Sequence, residues 1–154
     1  MSDLPVTLTA EIRSAAASLT EAGILSPEAD AVALAAYTLG CEPEEVRRRM
    51  ILGERPDASS FSERYRTLVA ERAQRIPLQH LTGVAHFRRL TLRVGPGVFV
   101  PRPETELVAQ AAIDVATVCE APLVVDLCTG SGAIALAVKE EVPRARVVAV
   151  ELDP

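Results

Sequence analysis

The stretch that most limits what this chain can become is Leu123-Val124-Val125-Asp126-Leu127-Cys128-Thr129-Gly130-Ser131-Gly132. It is followed by Ala133-Ile134-Ala135-Leu136-Ala137-Val138 and then by Val147-Val148-Ala149-Val150-Glu151. The order reads as buried strand, glycine loop, helix, buried strand, acid, which is one half of a nucleotide-binding βαβ unit. Gly130 and Gly132 lack Cβ, so the backbone can turn sharply and a ligand can lie directly against it. The helix that opens at the loop has free N–H groups that favour a negatively charged ligand group. Glu151 leaves the second strand beside the loop, where a carboxylate can accept hydrogen bonds from both hydroxyls of a ribose. An adenosine-type cofactor follows from this set. Gly130-x-Gly132-x-x-Ala135 also fits the dinucleotide fingerprint, so spacing leaves NAD open. Asp126 argues the other way. An acid at the strand end suits a cofactor with a cationic amino-acid end, such as S-adenosylmethionine, whereas a pyrophosphate has no use for a nearby carboxylate.

The 154 residues, 49% of them hydrophobic, suffice for one folded domain, or for one small domain plus part of another. The formal net charge of -5 argues against direct nucleic-acid binding and against attraction to acidic membranes. Arginine supplies nearly all the positive charge, with Lys139 the one lysine, which reads as compositional bias. Cys41, Cys119 and Cys128 are odd in number and lack C-x-x-C spacing, so they are expected to be reduced cytoplasmic thiols rather than a disulfide framework or a zinc site. Met1 to Pro5 lacks the basic start and apolar run of a signal peptide, and no apolar run is long enough to span a bilayer.

Read from the start, Val6 to Ala22 carries Leu8, Ile12, Ala15, Ala16 and Leu19 at helical spacing, with Gly23 as the stop. Ser26-Pro27-Glu28 opens a second helix to about Leu39, which buries Ala31, Leu34, Ala35 and Leu39 before Gly40. Pro43-Glu44-Glu45 opens a short third one, with Val46 and Met50 inward. Its Arg47, Arg48 and Arg49 form a solvated face or, on the sharper reading, a partner-binding patch. Ser60-Phe61-Ser62-Glu63 is a capping box for a helix to about Gln74, with Phe61, Tyr65 and Leu68 on one face. Pro77 ends the helical part. A turn at Leu81-Thr82-Gly83 leads into short strands, where Leu90, Leu92 and Val94 alternate with Thr91 and Arg93. His80 and His86 lie at no ligand spacing from a cysteine or acid, so packing or surface roles are expected and no metal site. In Val98-Phe99-Val100-Pro101-Arg102-Pro103-Glu104-Thr105-Glu106 the prolines stiffen the backbone around Arg102, and Pro103 can open a helix to about Val118. Glu104 and Glu106 then sit in its first turn. The segment is either a well-capped helix start or a rigid wall over a cofactor pocket.

Taken together, Pro77-Leu78-Gln79-His80-Leu81-Thr82-Gly83, Phe87, Val100-Pro101-Arg102-Pro103-Glu104-Thr105-Glu106 and Asp126-Leu127-x-Thr129-Gly130-Ser131-Gly132-Ala133-Ile134-Ala135-Leu136-Ala137 closely resemble the peptide chain release factor glutamine methyltransferases, the HemK/PrmC family. The likeness is strong from Pro77 to Pro154, and the helical part matches in character rather than by motif. The resemblance implies an α/β fold with an all-α N-terminal part. A helical substrate-docking domain at 1–76 precedes a linking turn and β-hairpin at 77–100. The first βαβ unit of a Rossmann-like class I methyltransferase domain then occupies 101–154 and is truncated. It implies S-adenosylmethionine as methyl donor and, as protein substrate, class 1 release factors, methylated on the side-chain amide of the Gly-Gly-Gln glutamine. It implies a monomer when complete, and direct in-line methyl transfer helped by positioning rather than by a strong base.

Carried over by position, Cys128, Thr129, Gly130, Ser131 and Gly132 form the cofactor loop, with Asp126 at its base, and Glu151 binds the ribose. Pro101, Arg102, Pro103, Glu104 and Thr105 line the cofactor's reactive end. Cys128 stands where the family has glycine, a change tolerated only if φ is negative there. Glu151 replaces the commoner aspartate. The family's Asn-Pro-Pro-Tyr motif, which holds the substrate amide, falls beyond Pro154, so no catalytic residue is expected within the chain and the chain alone is expected to be inactive. Two other functions fit the residues less closely: an NAD-dependent oxidoreductase fragment, and a non-catalytic binding module with a vestigial Rossmann half.

Overall fold

The structure, a computed structural model, describes residues 6–56 and 58–152. The chain forms two compact units, residues 1–82 and 83–154, so the hairpin belongs to the second.

The first unit is a helical bundle: α1 Leu8–Glu21, α2 Pro27–Leu39, α3 Pro43–Ile51, α4 Ala58–Ala73 and α5 Leu78–Thr82. Thr7 caps α1 by accepting the Ala10 N–H on its Oγ1, and α2 ends at Gly40 in the left-handed region that glycine enters freely. The apolar stripes read from the sequence converge: Leu8, Leu19, Leu34, Val46 and Tyr65 are all at most 1% exposed, and Phe61 stacks on Tyr65. Tyr65 donates its hydroxyl to the Ala31 carbonyl at 2.9 Å, and burial holds its pKa above the usual phenol value.

Two expectations fail here. Ser60 is not a cap, because α4 already runs at Ala58, and Ser62 donates instead to Glu11 Oε1 across the bundle. Nor does Pro77 end the helical part, since its carbonyl accepts the N–H groups of His80 and Leu81 as α5 begins. Arg47, Arg48 and Arg49 are each paired with Glu44, Glu45 or Glu54, so the cluster carries its own countercharge. Hydrogen bonds from Arg48 and then Arg49 hold the Glu45 carboxyl down to about 2.

The second unit runs β1 Val84–Phe87, β2 Leu90–Arg93, α6 Thr105–Val118, β3 Leu123–Leu127, α7 Ala133–Glu141 and β4 Arg146–Val150. β1 and β2 form an antiparallel hairpin, and β3 and β4 pair in parallel, with Leu123 opposite Arg146 and Leu127 opposite Val150. α6 starts at Thr105 rather than Pro103, with Glu104 as its cap residue. Val124 and Val147 pack with Ile113, Ala116, Val138 and Val142, so α6 and α7 cover one face of the parallel pair. The alternate residues on the other face are bare: Leu123, Val125, Leu127, Val148 and Val150 are between 38% and 69% exposed.

Arg88, at the hairpin tip with φ +52, ties that hairpin to both helices. Its side chain grips Glu141 through two hydrogen bonds, at 2.6 and 2.9 Å, and also reaches Gln110, while its backbone N–H donates to Glu106. The hydrogen bonds from Arg88 keep the Glu141 carboxyl below its usual pKa. A carboxyl depressed in the folded state gives stability that is present above its unfolded pKa of about 4.3 and is lost as pH falls through the lower folded value. Acid titration of hairpin stability should therefore show a loss below about pH 4. Glu141→Gln should remove this pH dependence at the cost of lower stability at neutral pH. Fluorescence or circular dichroism melts across pH check it, and identical acid profiles for the two proteins would count against the clasp.

Candidate functional site

β3 ends at Leu127, and the chain turns through Cys128 to Gly132 into α7. The turn needs the left-handed region three times: φ is +58 at Cys128, +55 at Gly130 and +76 at Gly132. Asp126 supports the loop from beneath, its Oδ2 accepting from the Thr129 hydroxyl at 2.6 Å and from the Ala135 N–H at 3.2 Å. Glu151, just past β4, reaches over the loop: Oε2 accepts the Gly130 N–H at 2.7 Å and Oε1 the Leu152 N–H at 2.9 Å. The Thr129 N–H goes to the Val150 carbonyl, which joins the loop to the end of β4.

These groups wall a cavity of about 370 Å³ lined by Asp126, Cys128, Thr129, Gly130, Ser131 and Glu151 on one side and Phe99, Pro101 and Thr105 on the other, with Ala133 and Ile134 completing it. Gly130, which lines it, has nothing within 4 Å of where a Cβ would stand, so the protein's own packing leaves that space open. The cavity is thus a pocket with glycine backbone and two carboxylates, Asp126 and Glu151, in its lining. Among the described residues, no group of three His, Cys, Asp or Glu side chains comes together as metal ligands would.

Residues 12–83 match a family described as the PrmC N-terminal domain. The chain is also 54% identical over 147 residues to a Streptomyces coelicolor protein named release factor glutamine methyltransferase, a match covering 94% of this chain and 50% of that one. Proteins of the same name from Bifidobacterium longum and Mycolicibacterium smegmatis are 50% and 48% identical, over 93% of this chain and 49% of each. The chain spans about half the length of these curated relatives. Over the part it spans, the chain is similar to release factor glutamine methyltransferases, and its residues 12–83 match their N-terminal domain.

Against the residues that the family resemblance singled out, the pocket brings together Asp126, Cys128, Thr129, Gly130, Ser131, Glu151, Pro101 and Thr105. Arg102, Pro103 and Glu104 are exposed and do not line it, nor does Gly132, whose role is the left-handed turn into α7. Phe99 was missed. It lines the cavity and lies beneath the Arg102 guanidinium, 5.7 Å from the ring centroid. The signal for it was an aromatic three residues before an arginine in a proline-stiffened segment, the spacing of a cation–π pair.

The Cys128 expectation is overturned. The family's glycine position has positive φ here, and the cysteine occupies it regardless. An L-residue in that region costs about 1–2 kcal/mol, while glycine returns about 0.4–1 kcal/mol of freedom to the unfolded chain. Cys128→Gly should therefore stabilise the second unit by about 0.5–1 kcal/mol. A urea midpoint that falls on this substitution would show that the loop is not strained at Cys128.

Proposed function

We propose that this chain carries the cofactor loop and the substrate-docking unit of an S-adenosylmethionine-dependent methyltransferase. Its substrate is the side-chain amide of the Gly-Gly-Gln glutamine in class 1 release factors, proteins of the cytoplasm. The observation that carries the reading is the cavity itself, where the glycine loop, the Phe99–Thr105 wall and Glu151 converge within family-related sequence. The residues present suit the cofactor. Glu151 offers carboxylate oxygens to ribose hydroxyls, and Gly130 leaves space for a close approach to the backbone. Asp126 and Glu151 make the pocket favourable to a cationic tail. When bound, the cofactor supplies an electrophilic methyl on its sulfonium. The chain's own residues hold and orient it, and Phe99 and Pro101 exclude water on one side. The part these residues play is to hold and orient, so the reading is of catalysis by positioning. The helical unit, which has a closed core of its own, serves to dock the protein substrate.

The test is a family-length chimera in which the second half of the Streptomyces coelicolor relative follows residue 154. With labelled S-adenosylmethionine and a class 1 release factor, label is expected on the Gly-Gly-Gln glutamine, and the 154-residue chain by itself should transfer none. A folded chimera that binds the cofactor but labels no release factor would remove the substrate assignment.

A further inference from the structure

We propose that Asp126 and Glu151 set the ligand selectivity of this pocket by filling the loop's anion-binding positions from within. The site then takes a nucleoside with a neutral or cationic tail and turns away pyrophosphate-bearing dinucleotides. The inference rests on the pocket being the cofactor site, and it explains how a loop whose spacing also fits NAD discriminates against it.

A glycine loop that opens onto a helix binds anions because its N–H groups point outward without partners. In this loop four of them are engaged, those of Thr129, Gly130, Gly132 and Ala135. The Gly130 N–H is held by Glu151 at 2.7 Å, and the Ala135 N–H, in the first turn of α7, by Asp126 at 3.2 Å. The Thr129 N–H goes to Val150 and the Gly132 N–H to the Thr129 carbonyl. Two of these partners are carboxylates, so the positive end of the α7 dipole already has its countercharge. An entering pyrophosphate would meet like charge where a dinucleotide site offers bare N–H groups. Among the described residues, no lysine, arginine or histidine lines the cavity to offset that repulsion. Arg102, beside the wall, has its guanidinium over the Phe99 ring. The extra methylene of Glu151, relative to the family's commoner aspartate, gives the arm the length to cross from the end of β4 to Gly130.

The experiment uses the ¹⁵N-labelled 154-residue chain and sodium pyrophosphate as probe, read at the amide resonances of Gly130 and Ala135. The wild type should show no saturable shift at millimolar pyrophosphate. Glu151→Ala, at an exposed position, should bind it at least about tenfold more tightly through the released Gly130 N–H. Glu151→Gln should fall between them, because its amide oxygen still occupies the N–H while the charge is gone. Equal pyrophosphate binding by wild type and Glu151→Ala overturns the proposal, and so does the absence of any gain in both variants. A parallel titration of the family-length chimera with S-adenosylhomocysteine separates the two ideas. A chain that gains pyrophosphate binding on Glu151→Ala, with a chimera that ignores S-adenosylhomocysteine, keeps the selectivity device and loses the cofactor reading.

Discussion

Purified alone, the 154-residue chain should self-associate as its concentration rises, and Val125→Lys combined with Leu127→Lys should return it to monomer. The reason lies in β3 and β4. Parallel strands are ordinarily covered on both faces, and their near-continuous apolar sequence reflects that. Here α6 and α7 cover the side of Val124 and Val147, while Leu123, Val125, Leu127, Val148 and Val150 face solvent. Fully burying one such side chain is worth about 1.5–3 kcal/mol, so finishing the burial of five half-exposed ones offers roughly 4–7 kcal/mol. A second apolar surface adjoins it: between α6 and β3 runs a groove of about 630 Å³ lined by Val108, Val115, Leu123 and Val125 among others. An open parallel edge with apolar flanks of this kind invites pairing. Two lysines on β3 place charge in the middle of that face without touching the covered one. Sedimentation velocity over a concentration series decides the matter. A wild type that stays monomeric throughout, or association indifferent to the two lysines, would show that the bare face is not adhesive.

The second large effect concerns the loop. In the family-length chimera, Gly130→Val should abolish binding of S-adenosylhomocysteine. No protein atom lies within 4 Å of the added Cβ, so the substitution does not clash internally. It acts in two other ways. A β-branched residue at φ +55 is strongly disfavoured, with backbone strain of about 1–3 kcal/mol. Its methyl groups also enter the space against which the cofactor would lie. Glu151→Ala should do less, weakening binding by about 1.5–3 kcal/mol, the scale of a hydrogen bond to a charged group. Calorimetry of the folded variants gives both numbers. Unchanged affinity in Gly130→Val would mean that the cofactor does not approach this backbone.

The glycine loop and its flanking strands were legible because their signals are local: an apolar run, a pair of glycines and an acid follow one another along the chain. The two helices between Val6 and Leu39 were legible for the same reason, through Gly23, Pro27 and Gly40, although Ser26 caps α2 without the side-chain hydrogen bond expected of it. What the sequence concealed was set by distant partners. Ser60-Phe61-Ser62-Glu63 matched a capping box, but the Ser62 hydroxyl bonds to Glu11, 51 residues away. Arg88 read as part of a strand, yet it is the clasp between a hairpin and two helices because Glu141 lies 53 residues further on. Asp126 was read as facing the cofactor's charged end, and the structure gives one of its oxygens to the loop's own Thr129 and Ala135. Cys128 was expected to avoid positive φ, and the tight geometry between β3 and α7 imposed it. Ser62 and Arg88 answer to partners 51 and 53 residues away, which no spacing rule contains, while Asp126 and Cys128 answer to the geometry of the loop itself.

The helical unit has one more property with a practical side. α4 is fastened to its neighbours at three places: Arg66 to Glu11 on α1, and Tyr65 to the Ala31 carbonyl and Arg72 to Asp30 on α2. These fastenings lie on a single rod whose azimuth advances about 100° with each residue. A codon gained or lost between Tyr65 and Arg72 therefore cannot be absorbed by sliding, because restoring one fastening turns the others away from their partners. Length variation should be found in the connections that flank this helix and be absent from its middle, so that α4 serves as the fixed ruler against which an alignment of the unit is set.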